Sequence, residues 1–353
     1  MKKNISIIEG DGIGPEIMKQ TIKILRTITN KYDHDFHYKK AIAGSMAIEK
    51  FGNPMPEETI NSCLNSDAIL FGCVGDPKHD NNPIGMRPED GLLELRKKMN
   101  LYCNIRPIIV YSKINKSPIK KEILNGVDFI IYRELTGGIY FGKKGRSENG
   151  EKAYDHCIYS KKEIERIGKM AFEAALSRKK KVTVVDKANV LETSKLWREV
   201  IKKMGVDYPD IDLDFLYIDN AAMQIIMNPK KFDIVLTDNM FGDILSDEAS
   251  VITSSLGLLP SASIGENKRS MFEPVHGSYP QAKGKNIANP LGCILSASMM
   301  LGYFEMYKEK NLLEEAVKKS IENKICTPDI IDSHSSSTTE EVGSYISQYI
   351  QNQ

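Results

Sequence analysis

Short apolar runs alternate with stretches of helical period along most of the chain, the pattern of an α/β protein. Residues 5–8 form an apolar strand, and a glycine turn follows. A helix then opens at Pro15 with Ile17, Met18, Ile22, Leu25 and Ile28 on one face. Further strands are expected at 67–74, 181–185, 213–218 and 232–236, the last running through Thr237 into an acidic segment. Ser160-Lys-Lys-Glu163 is a capping box, followed by Ile164, Ile167, Ala171 and Ala174 at helical spacing. A helix carrying Leu196, Val200 and Ile201 is expected to end with Gly205 at C′. The polar run 333–339 reads as a surface loop, and there is no internal repeat.

Residues 127–159 break this rhythm. The segment 127–141 is aromatic and β-branched, then glycine-rich, and the polar stretch up to Tyr159 has no helical period. Two readings stay open: an extended arm or hairpin packed on another subunit, or a long mobile loop.

A chain of 353 residues has room for two domains. Its 41% hydrophobic and 27% charged residues fit an ordinary globular protein. Forty-eight basic residues against 47 acidic ones leave a charge of +1, too little for a protein that neutralises nucleic-acid phosphates. Arg178-Lys-Lys-Lys181 reads as a solvated helix end. The longest apolar stretch, 290–304, falls short of the ~20 residues that span a bilayer. Met1-Lys-Lys-Asn4 runs straight into a strand without the apolar core of a signal peptide. Six cysteines without a C-x-x-C pair are expected to be reduced thiols of a cytoplasmic protein, with no zinc site.

Glu9-Gly-Asp-Gly-Ile-Gly-Pro-Glu16 sits where a dinucleotide loop would sit, yet it is not a Rossmann fingerprint. Pro15 stands where the third glycine of G-x-G-x-x-G belongs, and Glu9, Asp11 and Glu16 put negative charge where a pyrophosphate wants bare amides. Asp243 and Asp247, i and i+4, share one face of the helix after 232–237, and Asp219 ends another strand. Like charges at that spacing repel unless a cation lies between them, and all-oxygen ligation suits Mg²⁺ or Mn²⁺. The plainer alternative is aspartates favoured by a helix dipole. Lys187 at a strand end could serve as a base, or be an exposed loop lysine. Arg96, Arg106 and Arg133 are suited to gripping a di- or tricarboxylate, although each alone could be a surface ion pair. A metal-dependent phosphohydrolase also fits the aspartates alone.

Taken together, Glu9 to Glu16, Tyr132-Arg-Glu-Leu-Thr-Gly-Gly138, Asp186-Lys-Ala-Asn-Val190, Asp238-Asn-Met-Phe-Gly-Asp-Ile-Leu-Ser-Asp247 and Glu273-Pro-Val-His-Gly-Ser278 resemble the β-decarboxylating dehydrogenases, from residue 4 to about 330. That family comprises the metal-dependent isocitrate, isopropylmalate, homoisocitrate and tartrate/malate enzymes. The resemblance implies a two-domain α/β fold of isocitrate/isopropylmalate dehydrogenase type, not a Rossmann fold. A cofactor-side domain would take 1–101 plus 254–353. A dimerisation and metal/substrate domain would take 102–253, with an intersubunit arm near 137–157. It implies a homodimer with shared active sites, in which Lys187 and Asp219 reach the partner's site.

Residue by residue, the resemblance implies that Arg96, Arg106 and Arg133 hold the substrate carboxylates. Asp219, Asp243 and Asp247 would ligate Mg²⁺ or Mn²⁺, with Asp219 also touching substrate. Lys187 would be the base and Tyr140 the acid. Leu92 and Leu93 match the leucines that pack on the alkyl group in members that oxidise 3-isopropylmalate for leucine biosynthesis. A carboxylate would be left unpaired and desolvated in such a pocket. Ile13, Gly75, Glu89, His276, Gln281, Ala288 and Asn289 would contact NAD. Gln281 stands where those members carry an aspartate for the ribose diol, Lys283 lies two residues on, and Asp76 replaces a common glycine. Gln281 lacks the charge that repels a 2′-phosphate, and Lys283 could attract one. The rival readings are a sibling enzyme for D-malate, tartrate or homoisocitrate, and a non-catalytic regulatory subunit.

Overall fold

A computed structural model of the chain describes residues 1–353 except 112, 114, 115, 268 and 332, and the side chain of residue 333. The chain divides into two compact units. The first comprises Met1–Asn100, Tyr111–Pro118 and Thr253–Gln353, the second Leu101–Val110 and Ile119–Ile252.

In the first unit five strands run in the order Asp35–Ala41, Lys2–Gly10, Ala68–Cys73, Ser270–Pro274, Pro260–Gly265. The first four are mutually parallel, and Pro260–Gly265 pairs antiparallel with Ser270–Pro274. Ile5 to Ile8 are all buried, as is every residue of Ala68–Cys73. Both faces of a parallel sheet are covered, which is why these strands read as continuous apolar runs rather than alternating ones. The helix Gly14–Tyr32 opens with a proline in its first turn, and its apolar stripe packs against helices Leu291–Tyr303 and Thr339–Asn352. Leu291–Tyr303 is apolar all round because it is buried all round.

In the second unit the order is Leu101–Ile109, Asp128–Glu134, Ile234–Thr237, Lys181–Asp186, Asp212–Tyr217. Leu101–Ile109 is antiparallel to Asp128–Glu134 and the other pairs are parallel. Thr237 lies opposite both Arg133 and Val185, and Asp186 lies opposite Tyr217. The four parallel strands therefore deliver Arg133, Asp238, Lys187 and Asp219 to one sheet edge, the carboxyl ends where α/β folds gather chemistry.

The capping box at Ser160 forms as expected, with Glu163 N–H donating to Ser160 Oγ and Ser160 N–H to Glu163 Oε2. Two expectations need correction. Gly205 is the last residue of helix Glu192–Gly205 rather than its C′ cap, and a side chain there would run into Leu213. Arg178 is no solvated helix end: its guanidinium donates to Asp233 Oδ1 and Asp128 Oδ1, both at 2.7 Å, tying helix Lys161–Leu176 beneath the sheet. The run 333–339 is the expected surface segment: residues 334–338 are exposed or half-exposed, with a 3₁₀ turn at Ser333–Ser335 and a second capping box, Thr338 to Glu341, that starts the last helix; the side chain of residue 333 lies outside the described residues.

The 127–159 segment splits into three parts. Asp128–Glu134 is a central strand, Gly138–Tyr140 a 3₁₀ turn, and Lys144–Arg146 pairs antiparallel with Ala153–Asp155 in a small exposed hairpin. Among the described residues, no helix is long and apolar enough to cross a membrane.

Candidate active site

At the sheet edge of the second unit, Arg133 is buried, and its NH1 donates to Asp243 Oδ1 at 2.5 Å. Tyr140 donates its hydroxyl to the other oxygen, Asp243 Oδ2, at 2.8 Å. Arg106, also buried, has its guanidinium 3.9 Å from Asp243 and 3.7 Å from Asp247, and donates to Ser246 Oγ at 2.5 Å. Asp243 and Asp247 thus share a face of helix Asn239–Thr253, and two arginines offset their mutual repulsion. Gly242 makes the approach possible. A β-carbon there would lie 2.6 Å from Arg133 Cγ, so any larger residue would push the helix off the guanidinium.

Charge and burial set the proton states. Burial first, and then the Asp243 carboxylate, push the Tyr140 phenol up to about 12, so it keeps its proton at neutral pH. Burial raises Asp247 above the ordinary carboxylate range, while Arg106 pulls against it. Asp238, buried at the start of the same helix, accepts the Phe241 N–H at 2.8 Å, yet burial still lifts it to about 7.

Lys187 and Asp219 form a second group. Lys187 Nζ donates to Asp219 Oδ2 at 2.9 Å, and this bond is the main cause of Asp219's lowered pKa. Asp186, next to Lys187, is buried and clamped by Arg198 at 2.6 and 3.1 Å, which fixes the strand end that presents the lysine. Among the described residues no three His, Cys, Asp or Glu side chains converge as a metal site, so Asp219, Asp243 and Asp247 do not form such a group within one chain.

In the first unit the glycine loop, the end of strand Ala68–Cys73 and the 275–289 segment meet. Ile13 N–H donates to Ser278 O at 2.8 Å, and Ser278 Oγ donates to Gly75 O at 2.7 Å. Glu89 Oε1 lies 2.7 Å from where a side chain on Gly75 would begin, at a φ of +130° that other residues rarely adopt. Ile13, Gly75, Glu89 and Ser278 are therefore neighbours. Asp11, buried and raised in pKa by that burial, accepts N–H bonds from Ser45 and Gly75. The acidic loop residues are thus engaged within the chain: Glu9 takes Lys40 Nζ at 2.6 Å, and Asp11 takes backbone amides. Glu16, like Asp11, takes backbone amides, those of Gly284 and Asn286.

His276 uses Nδ1 on the Gly277 carbonyl, and burial lowers its pKa, so the ring is neutral with Nε2 as an acceptor. That Nε2 is shut from solvent and meets no donor among the described residues. Asn289 is held by Asp329, and Ala288 offers its carbonyl to Thr339. Gln281 and Lys283 are exposed around the 3₁₀ turn Pro280–Ala282.

Helix Pro88–Lys98 carries the remaining residues. Leu95 is fully buried, whereas Leu92 and Leu93 are only half-buried and so are not spent on the core. Arg96 donates to buried Glu273 at 2.8 Å, and among the described residues its buried Nε has no acceptor. Four side chains important to this geometry had drawn no role from sequence: Glu273 behind Arg96, Ser246 behind Arg106, and Asn239 and Glu134 around Arg133 and Tyr140. All four stand inside the quoted family motifs, next to the residues that were given roles. That adjacency was the available signal.

Buried arginines, a phenol that keeps its proton, a lysine–aspartate pair and paired helix aspartates at the strand ends of α/β units are the furnishings of an enzyme. The sequence pattern of the isocitrate/isopropylmalate dehydrogenase family matches residues 4–346, and the chain belongs to that family. A 3-isopropylmalate dehydrogenase of Bacteroides fragilis is 49% identical, over 99% of this chain and 99% of its own. That of Bacillus subtilis is 47% identical, over 97% and 95%. Among solved structures, an isocitrate dehydrogenase from Methylococcus capsulatus is 33% identical with a TM-score of 0.90, covering 99% of both chains. A β-decarboxylating dehydrogenase from Thermococcus kodakarensis is 32% identical with a TM-score of 0.81, over 99% of this chain and 96% of its own.

Proposed function

We propose that the chain is a 3-isopropylmalate dehydrogenase of leucine biosynthesis. It would oxidise and decarboxylate (2R,3S)-3-isopropylmalate to 4-methyl-2-oxopentanoate and CO₂ while reducing NAD⁺. The observation that carries this reading is the linked set Arg106, Arg133, Tyr140, Asp243 and Asp247, in a chain whose relatives at about half identity bear that name. The half-exposed Leu92 and Leu93 favour an alkyl-bearing substrate over siblings with a polar group at that position. The retained lysine, tyrosine, arginines and aspartates argue against a non-catalytic subunit.

The residues fit a divalent cation and a nicotinamide cofactor. Asp243 and Asp247 supply hard oxygen donors, and the partner subunit's copy of Asp219 would complete the set. Among the described residues, His276 Nε2 is a buried acceptor awaiting a donor, as an adenine amine would provide. Ile13, Gly75, Glu89, Gln281, Ala288 and Asn289 are assigned to the same cofactor. When bound, the cation supplies Lewis-acid stabilisation of developing oxygen charge, and NAD⁺ accepts the hydride.

The chain's own groups do the rest. Arg96, Arg106 and Arg133 hold the two substrate carboxylates, and the unfilled Nε of Arg96 is one donor ready for them. Lys187, as the free amine, takes the hydroxyl proton, and Asp219, which accepts from its Nζ, stabilises the ammonium that forms. Tyr140 returns a proton to the carbon that loses CO₂. A phenol held at about 12 is charged with that proton throughout the neutral range.

A homodimer follows from the same reading. Met223 and Met227 on helix Ile218–Met227, and Ile244 and Val251 on helix Asn239–Thr253, are 38–59% exposed, an apolar face suited to a second copy. The cytoplasm is the matching compartment. The test is NAD(P)H formation with Mg²⁺ or Mn²⁺ on 3-isopropylmalate, isocitrate, D-malate and tartrate, using NAD⁺ and NADP⁺, with Lys187→Ala as control. Turnover chiefly of 3-isopropylmalate supports the reading, and turnover chiefly of another acid overturns it. A preference for NADP⁺ would mean that Gln281 and Lys283 have moved cofactor choice.

A further inference from the structure

Asn239 is fully buried one residue beyond the sheet edge, and its carboxamide is engaged on both sides. Oδ1 accepts Arg133 Nε at 3.1 Å and Arg133 NH2 at 2.8 Å. Nδ2 donates to the Gly137 carbonyl at 3.1 Å. The orientation of the amide follows from chemistry: a guanidinium can only donate and a peptide carbonyl can only accept. Tyr159 Oη accepts the Asn239 backbone N–H at 3.0 Å, which fixes the residue from behind.

Gly137 is held from its other side as well. Its N–H donates to Glu134 Oε2 at 2.6 Å, and the same buried carboxylate takes the Thr136 N–H and hydroxyl. One residue on, the Gly138 N–H donates to Ile158 O and the 3₁₀ turn Gly138–Tyr140 begins. The bonds close a ring. Asn239 grips Gly137, the turn carries Tyr140, Tyr140 donates to Asp243, Asp243 accepts Arg133, and Arg133 donates back to Asn239.

We propose that Asn239 is a positioning residue for the proton-return step: its carboxamide clips the Tyr140 turn to Arg133, so that the proton donor is held in register with the group that grips the substrate carboxylate. The inference rests on the reading of Tyr140 as general acid. Only a neutral carboxamide meets the requirement. Aspartate would keep the acceptor for Arg133, but it has no donor for Gly137 and sets its charge against a carbonyl. Alanine would leave both Arg133 and the Gly137 carbonyl short of a buried partner.

The experiment is a double-mutant cycle of Asn239→Asp and Tyr140→Phe in the full-length protein with Mg²⁺ and NAD⁺, with hydrogen exchange read on the same variants. Asn239→Asp should lower kcat by about 10- to 100-fold with little change in KM, as expected for a donor displaced by a fraction of an ångström. The double variant should be no slower than Tyr140→Phe alone. Amides of 136–142 should exchange faster while helix Asn239–Thr253 stays protected. Losses that multiply, or a raised KM with kcat unchanged, would overturn the proposal by placing the effect on folding or on Arg133 alone. Unchanged exchange at 136–142 would overturn it independently of activity. A wild-type protein that turned over no substrate, yet whose turn loosened in the variant, would sink the enzymatic reading and leave the clip standing. Should Asn239→Asp fail to fold, Asn239→Ser, which replaces the carboxamide by a hydroxyl too short to span from Arg133 to Gly137, answers the same questions.

Discussion

Tyr140 donates its hydroxyl to Asp243 at 2.8 Å while the other Asp243 oxygen takes Arg133, so one carboxylate bridges the assigned proton donor and an assigned substrate grip. Tyr140→Phe should therefore lower kcat by ~10²- to 10⁴-fold, the usual share of a general acid. Substrate affinity by calorimetry should change little, because Arg133 and Asp243 keep each other. Weakened binding at full kcat would show that the phenol holds substrate instead.

The separation of Lys187–Asp219 from the paired helix aspartates leads to a mixing test. Lys187→Ala and Asp243→Asn should each be inactive alone. Mixed one to one after subunit exchange, half the dimers pair the two variants and each of these rebuilds one intact site, so activity should return to about a quarter of wild type. Exchange is verified by native mass spectrometry. Exchanged dimers with no activity would mean that each site draws on a single chain.

Leu95 faces the core while Leu92 and Leu93 stay half-exposed on the same helix. Leu93→Ala should lower kcat/KM for 3-isopropylmalate by roughly 10- to 200-fold, the range for lost apolar contact with a substrate alkyl group, and change it far less for D-malate. Equal losses on both acids would assign the leucine to helix packing.

Arg178 neutralises Asp233, whose side chain is 1% exposed. Arg178→Ala leaves that charge with backbone donors alone and should destabilise the protein by about 3–5 kcal/mol in urea unfolding. KM should stay near wild type. A loss under 1 kcal/mol would mean that water reaches Asp233 once the arginine is gone.

Asp238 gives a pH signature. Its folded pKa of about 7 lies above the ordinary 3.8 because burial outweighs the Phe241 N–H. Below pH 4 both states hold the proton. Between about 4 and 7 the unfolded chain releases it first, so Asp238 removes stability as pH rises through that window, and the loss persists above it. Asp238→Asn, which still offers an acceptor to Phe241, should match the parent near pH 4 and be more stable at pH 8 by urea midpoint. A constant difference across the range would mean that Asp238 is charged throughout.

The alternation of strands and helices, the capping box at Ser160, the rejection of a dinucleotide loop at Pro15 and the motifs of the isocitrate/isopropylmalate dehydrogenase family were all legible in the order of the amino acids. Each of these depends on neighbours within a few positions: a cap reaches three residues along the chain and a helix face repeats every three or four. Glu273 and Ser246 stand inside quoted motifs, yet their roles behind Arg96 and Arg106 were not legible, because the partners are 177 and 140 positions apart. Arg178 was misjudged for the same reason, since the buried carboxylate it serves lies 55 positions on. Asn239 stood inside a recognised motif, yet its function depends on Gly137 and Arg133, which only the parallel register of Ile234–Thr237 beside Asp128–Glu134 brings to it. Local chemistry chose the residue types. The pairing of distant strands decided which of them meet, because hydrogen bonds and ion pairs act over about 3 Å and take no account of distance along the chain.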